Sequence, residues 1–257
     1  MTDGPEPKYR APALEKGLAV LELLASAQEP MSLNAVSRAL NRSVSELFRM
    51  IQVLEFHGYL ELASSGDGYV LSNKLFALGM KRAPIRNLHD AALPVMHRLA
   101  ERIGQACHLG VASADQMVIV ARVEAPGYLG FSVRVGYRRP LVDSTSGLVL
   151  YAFQSELVRA EWKKRLAPSI DRREWVNFER QGHAARKSGY VTAGSHDVQG
   201  VIDISAPVTQ SGGVAAALTV PYMKSARSLS VAETVRPLVE AAREISGELG
   251  GGAPAAD

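Results

Sequence analysis

Three side chains on one short segment, Ser45, Arg49 and Gln52, have the types and the spacing to read nucleic acid. At about 100° per residue they fall on one side of a helix, while Leu47, Met50, Ile51 and Leu54 converge on the other. Arg bonds guanine bidentately, Gln does the same for adenine, and Ser serves a base edge or a phosphate; this suits a helix that enters the major groove by its N-terminal end. Arg42, Ser43, Glu46 and Phe48 flank the stripe, and Phe48 is placed either to touch a thymine methyl or to cover a neighbouring helix. A second scattered set, His108, His196 and Asp203, has ligand types suited to a divalent metal but no local metal-binding spacing. The alternative for His108 is a hydrogen bond to a bound molecule or a core carbonyl. Ser146 with His196 and either Asp197 or Asp203 has the composition of a hydrolytic triad, yet Ser146 lacks the Gly-x-Ser-x-Gly elbow that exposes a nucleophile. Neither a His-Glu-x-x-His pair nor a Gly-rich phosphate or dinucleotide loop occurs. The expectation is therefore no enzyme, no cofactor and no metal.

The elements around Arg49 give the stripe its meaning. Residues 33–40 and 43–54 form two short amphipathic helices joined by a tight polar turn, with Ser32 placed to cap the first. Ahead of them, Leu14, Leu18, Leu21, Leu24 and Ala25 predict a helix with one apolar stripe, ended by the polar residues 26–30. Behind them, residues 59–62 and 69–71 bracket Ser64-Ser65-Gly66-Asp67-Gly68, a hairpin whose Ser64 and Ser65 are positioned for phosphates. This order is that of a winged helix-turn-helix, and double-stranded operator DNA is its expected partner.

Charge is sparing for such a partner. The chain carries +3, and from Ser32 to Gly58 three arginines (Arg38, Arg42, Arg49) stand against Glu46 and Glu55. Phosphate contacts supply much of DNA affinity, so tight binding calls for several modules acting together, which favours a homodimer or a dimer of dimers. At 257 residues the chain has room for this module and a larger domain with its own core. No apolar run is long enough to span a bilayer and the start lacks a signal-peptide core. The single Cys107 excludes an intrachain disulfide framework. A cytoplasmic location is expected.

The domains are expected at residues 8–72 (winged helix), 73–87 (linker helix) and 88–249 (a second domain), with 250–257 a disordered tail. Leu88, Ala92, Val95, Leu99 and Ile103 recur at helical spacing. Pro94 within them predicts either a kink or a start one turn later. Beyond residue 105 the period changes. Residues 106–112, 117–123 and the alternating 131–135 predict strands, 146–153, 156–164 and 172–188 helices, 200–208 and 214–220 strands that include a hairpin, and 231–245 a closing amphipathic helix. The fold class is α+β.

Several of these segments carry a resemblance. The opening Ala13-Leu14-Glu15-Lys16-Gly17-Leu18-Ala19-Val20-Leu21, the winged module ending in Gly58-Tyr59-Leu60, Gly189-Tyr190, and the runs 200–208 and 216–220 together resemble the IclR family of bacterial transcriptional regulators. The resemblance implies a dimerising winged helix, a linker helix and a C-terminal GAF-like effector domain that binds a small metabolite, commonly an organic or aromatic acid. It also implies an effector pocket built here from Ser144, Thr145 and Ser146, from Ser195 and His196, and from Asp203 and Thr219, with His108 nearby. A helix N-terminus flanked by three hydroxyl residues can hold a carboxylate, although Ser144 can equally act as a simple cap. Asp203 departs from the family pattern, which places a small residue or cysteine there, and so does Pro221. An ionised Asp203 repels a carboxylate unless it is paired or protonated, and it can instead accept a bond from a ligand hydroxyl or amine.

Overall fold

The computed structural model describes residues 9, 11–63, 66–80, 83–127, 130–210, 213–225 and 228–250. Two compact units divide between Ala83 and Pro84. The first comprises helices α1 (Pro12–Ser26), α2 (Leu33–Leu40) and α3 (Val44–Phe56), strands β1 (Leu60–Leu62) and β2 (Tyr69–Leu71), and helix α4 (Lys74–Met80). Capping fixes the two central helices. Ser32 Oγ accepts the Ala35 amide and Ser43 Oγ the Glu46 amide, at 3.3 and 3.4 Å. Between them Asn41 adopts the left-handed conformation, φ 49°, that ends α2 and turns the chain. The wing pairs Leu60 with Leu71, and Tyr69 bridges back to Met31. A Cβ on Gly68 would lie 2.7 Å from the Met31 backbone, so this close approach requires glycine.

Val20, Leu24, Val36, Leu47, Ile51 and Leu60 form the core of this unit. The expected stripe on α1 is only partly correct. Leu24 is buried and Leu21 packs beside it, but Leu14, Leu18 and Ala25 are exposed. Val20 and Leu24 set the buried direction roughly a third of a turn away from Leu14 and Leu18. α1 therefore carries a second, uncovered apolar line.

The second unit contains α5 (Ala83–Ile103), β3 (Cys107–Ser113), β4 (Gln116–Val123), β5 (Arg138–Pro140), α6 (Thr145–Ala152), α7 (Glu156–Leu166), α8 (Arg172–Ser188), β6 (Val191–Gly194), β7 (Val201–Gln210), β8 (Gly213–Met223) and α9 (Val231–Glu248). The strands form one antiparallel sheet in the order β5-β4-β3-β8-β7-β6. On one face α5 and α9 cover Cys107, Leu109, Ala121, Val123, Ile204, Leu218 and Val220. On the other, α6 and α8 pack with Met117, Ile119 and Ala217 around Tyr151, Trp175 and Phe178. α6 is buried on every side, as an apolar helix between layers must be. α5 runs unbroken through Pro94, so the expected later start is wrong.

A register shift opposite Leu109 and Gly110 leaves Val120 unpaired on β4. The extra residue reverses the alternation. Ala121 and Val123 thus face the α5/α9 layer, while Met117 and Ile119 face the other side. There they join His108, which shares a cross-strand row with Thr219 and Ser205.

The alternating residues 131–135 are not a strand. The chain there runs as an extended loop that meets β4 only at its end, where Gly136 N–H donates to Ile119 O and Ile119 N–H to Tyr137 O. Residues 131–134 border a cavity instead of a sheet face, and Val135 is exposed. Strand pairing resumes at β5, which the sequence did not announce, and β6 was equally unmarked. Ser64, Ser65, the hairpin tip at Ser211-Gly212 and the tail 251–257 lie outside the described residues.

Candidate functional site

On the first unit, Ser45, Arg49 and Gln52 are all exposed on one side of α3, opposite the buried Leu47 and Ile51. Their neighbours have structural partners. Ser43 caps the helix and donates to Glu46, and Glu46 accepts from Lys16 of α1 at 2.8 Å, which ties α3 to α1 and holds the Glu46 carboxyl below its usual range. Gln52 Nε2 donates to Glu55 at 3.1 Å. Arg42 is exposed on the turn, where its backbone carbonyl accepts from Ser37 Oγ. Arg49 has no hydrogen-bond or ion-pair partner among the described residues. Phe48 is 48 % exposed on the same outer surface, a costly position for an aromatic ring without a covering partner.

On the second unit a cavity of about 310 Å³ opens on the sheet face that β3, β4 and β7 share. Its floor is His108, Met117, Ile119 and Asp203; the loop 131–137 and Arg139 form one wall, residues 143–146 at the start of α6 a second, and residues 195–198 a third. Ligand cavities of this kind are mostly apolar with a few aimed polar groups. Phe131, Val133, Met117 and Ile119 supply the apolar part.

The polar groups divide into satisfied and unsatisfied sets. Ser144 Oγ accepts the Gly147 amide at 3.0 Å, so it caps α6 while its side chain still borders the cavity. Ser146 Oγ is 2.9 Å from Thr219 Oγ1, which is 2.7 Å from Ser205 Oγ. Thr219 thus stands behind Ser146 and outside the cavity wall, and Ser205 is a buried partner that sequence reasoning did not find. Ser195 Oγ accepts the Asp197 amide at 3.4 Å. By contrast His108 Nδ1 and Thr145 Oγ1 are buried without any hydrogen-bond partner. Burial holds the His108 ring down to about 4, so it is neutral near pH 7. Asp203 makes no ion pair among the described residues, and burial pushes it up to about 6. His196, Thr145 and Arg139 favour its charged form and Asp197 opposes it. The Thr145 hydroxyl acts on the carboxylate at a geometry short of a hydrogen bond.

At the mouth, Tyr137 and Arg139 both donate to Asp197, joining the wall at β5 to the loop after β6. Arg139 Nε also donates to the Asp143 carbonyl at 2.8 Å. The Tyr137 hydroxyl and the Arg139 guanidinium hold the Asp197 carboxyl below its usual range. Tyr137 and Arg139 were missed in the sequence. Their only signal was position, a cation five residues before the Ser144 cap of the hydroxyl-rich helix start. A second cavity of about 350 Å³ lies beyond Thr145 and His196. Its Glu174, Asn177 and Gln181 are exposed and need no ligand to satisfy them.

Two other groupings fail on geometry. Ser146 Oγ bonds Thr219 and His196 is exposed, with no hydrogen bond between the two among the described residues. Among the described residues no three His, Cys, Asp or Glu side chains converge on one point, so His108, His196 and Asp203 form no coordination sphere. Cys107 is buried with its thiol pushed up to about 12, which makes it inert packing.

A helix-turn-helix with a wing, and a second unit that encloses a small-molecule cavity over an antiparallel sheet, define a ligand-sensing DNA-binding regulator. The chain belongs to the IclR family: the IclR helix-turn-helix domain matches residues 13–63, and the bacterial transcriptional regulator IclR C-terminal domain matches residues 81–247. It is similar to the HTH-type transcriptional regulator KdgR of Dickeya chrysanthemi, 26% identical over 91% of this chain and 79% of that one. It is also similar to the glycerol operon regulatory protein of Streptomyces coelicolor, 26% identical over 76% of this chain and 78% of that one. An IclR homolog from Microbacterium hydrocarbonoxydans, solved in complex with 4-hydroxybenzoate, superposes with a TM-score of 0.75 at 26% identity, covering 92% of this chain and 98% of that one. The protein is an IclR-type transcriptional regulator with a DNA-binding and an effector-binding domain. No described helix is long and apolar enough to cross a membrane.

Proposed function

We propose that this regulator recognises a two-fold operator through Ser45, Arg49 and Gln52 of paired α3 helices, in the cytoplasm, and that a small organic or aromatic acid in the 310 Å³ cavity alters that recognition. The observation that carries the effector reading is the pair of buried, unpartnered polar atoms on the cavity lining, His108 Nδ1 and Thr145 Oγ1. Such atoms cost about 1–3 kcal/mol each when left unsatisfied, and a ligand recovers part of that cost. The first amides of α6 and the guanidinium of Arg139 supply the positive end for a carboxylate. To use Arg139, that carboxylate must compete with Asp197. The bound 4-hydroxybenzoate of the Microbacterium homolog is an acid of suitable size.

Pairing follows from the uncovered line on α1. Leu14 and Leu18 are 63 and 49 % exposed, an apolar surface that a second copy of the chain would cover. Catalysis is no part of the proposal. The experiment combines operator titration with ligand. Arg49→Ala is expected to weaken specific binding by about 1–3 kcal/mol and to relax one base position, at fixed salt. Ser146→Ala is expected to blunt the response to 4-hydroxybenzoate while the operator is still bound. An unchanged specificity ratio in the first variant removes Arg49 from the reading surface; a turnover abolished in the second makes the protein an enzyme.

A further inference from the structure

We propose that the cavity is built for a ligand bearing a protonated amino group, which sits on Asp203, His108 and Thr145. The inference rests on reading this cavity as the effector site, and it specifies what that ligand must carry. Its basis is a mismatch of charge and hydrogen bonding on the cavity lining.

Of the acids lining the cavity, Asp197 is held by Tyr137 and Arg139, and Asp143 is exposed to solvent. Asp203 is the inward-facing one with no ion pair among the described residues, its carboxylate approached by the Thr145 hydroxyl at a geometry short of a hydrogen bond. Of the basic side chains that favour its charge, His196 is exposed to solvent and Arg139 is committed to Asp197 and to the Asp143 carbonyl; Arg134 is exposed as well. Asp203 is therefore an unneutralised carboxylate in a mostly apolar chamber. A ligand that is only an acid would add a second negative charge beside it.

The neighbouring groups complete an acceptor set. His108 is neutral, and in the tautomer that carries its proton on Nε2, the unpartnered Nδ1 is an acceptor. The Thr145 hydroxyl oxygen is a second unpartnered acceptor. Carboxylate, imidazole nitrogen and hydroxyl oxygen supply three acceptors, the number of N–H donors on an ammonium. A ligand hydroxyl offers one donor and leaves two of these groups unsatisfied. A divalent metal is the poorer fit, because the site holds a single anionic ligand. With a carboxylate at the α6 amides the occupant becomes a small amino acid in the broad sense, an acid and an ammonium on one frame.

The test is a calorimetric titration of the full chain at pH 7.5 with three benzoates that differ only at the para position, aminomethyl, hydroxymethyl and ethyl, and with 4-hydroxybenzoate as the reference. The aminomethyl compound is expected to bind at least about tenfold more tightly than the ethyl compound, because the ion pair is desolvated. Asp203→Asn is expected to reduce that preference to below about threefold, with near-ultraviolet circular dichroism reporting that the variant is folded. If the variant does not fold, the ligand series on the unmodified chain decides alone. Equal or tighter binding of the ethyl or hydroxymethyl compound overturns the inference. So does an amine preference that survives in Asp203→Asn, or a thermal shift from Mg²⁺ or Zn²⁺ alone that exceeds that of the amine. Binding of 4-hydroxybenzoate without the amine overturns the inference and leaves the effector site standing, whereas no binding by any of the four removes both.

Discussion

Asp203 and His108 share one cavity floor and are both driven toward neutrality by burial, so their effects on stability run in opposite directions with pH. Asp203 titrates at about 6 in the folded chain and near 4 when unfolded. Between those values the folded state binds more protons, so this group favours folding as pH falls and costs about 3 kcal/mol once both states are ionised near pH 7. His108 titrates at about 4 when folded and near 6.5 when unfolded. There the unfolded state binds more protons, so its contribution is lost as pH falls through the same window. The two largely offset each other in the unmodified chain. Asp203→Asn removes one side of the balance, and this variant is expected to be the more stable at pH 7.5 and to lose stability more steeply on acidification to pH 4.5. Thermal melting at the two pH values checks this; a parallel shift of both proteins refutes it. At this scale Arg139 and Tyr137 escaped sequence reading, because an arginine and a tyrosine near a strand carry no signal until Asp197 is brought across to meet them.

The start of α6 is the element on which the cavity most depends. Leu141 to Asp143 form a short 3-10 turn, Ser144 caps, and Gly147 sits where a Cβ would lie 2.1 Å from the Leu141 carbonyl oxygen and 2.6 Å from Ser144 Oγ. Gly147→Ala is therefore expected to displace the cap and the first amides of α6, at a cost of about 2 kcal/mol or more, and to abolish ligand-induced thermal shifts. Gly182→Ala on α8 is the control, since its Cβ would meet side chains at ordinary contact distances of 3.6 Å or more. Similar losses in both variants would sink the argument. The element boundaries were largely legible, since capping serines, apolar period and glycine turns are local signals. Residues 131–135 misled because alternation records which side chains are apolar, not what they face. Here they face a cavity and the edge of a packed layer.

For the whole molecule, function is a coupling between two binding events. A ligand that favours one arrangement must change operator affinity by the same factor that operator changes ligand affinity. The proposed pairing of reading heads answers a local balance of three arginines against two glutamates around α3, which leaves a single module little phosphate attraction. Leu18→Asp, on the uncovered side of α1, is expected to convert a dimer to a monomer in sedimentation and to weaken operator binding by about a hundredfold, while the melting temperature of the monomer stays high. An unaltered sedimentation coefficient would move the dimer contact elsewhere.

The winged helix, the helices and four longer strands of the second unit, and the outward stripe of Ser45, Arg49 and Gln52 were determined by sequence alone. Each rests on interactions between residues a few positions apart: caps, helical period and turn chemistry. Membership of the family was likewise legible, because its motifs span both units in order. Tertiary structure decided what long-range contact decides. The unpaired Val120 set which side of β4 faces the cavity, the packing direction of α1 left Leu14 and Leu18 uncovered, and the meeting of Tyr137, Arg139 and Asp197 joined two of the cavity walls. Above all, the three-dimensional fold brought Asp203, His108 and Thr145 to the lining of one cavity and left His108 Nδ1 and Thr145 Oγ1 there without partners. No spacing in the chain encodes that, since the residues lie on different elements and their lack of partners depends on everything packed around them.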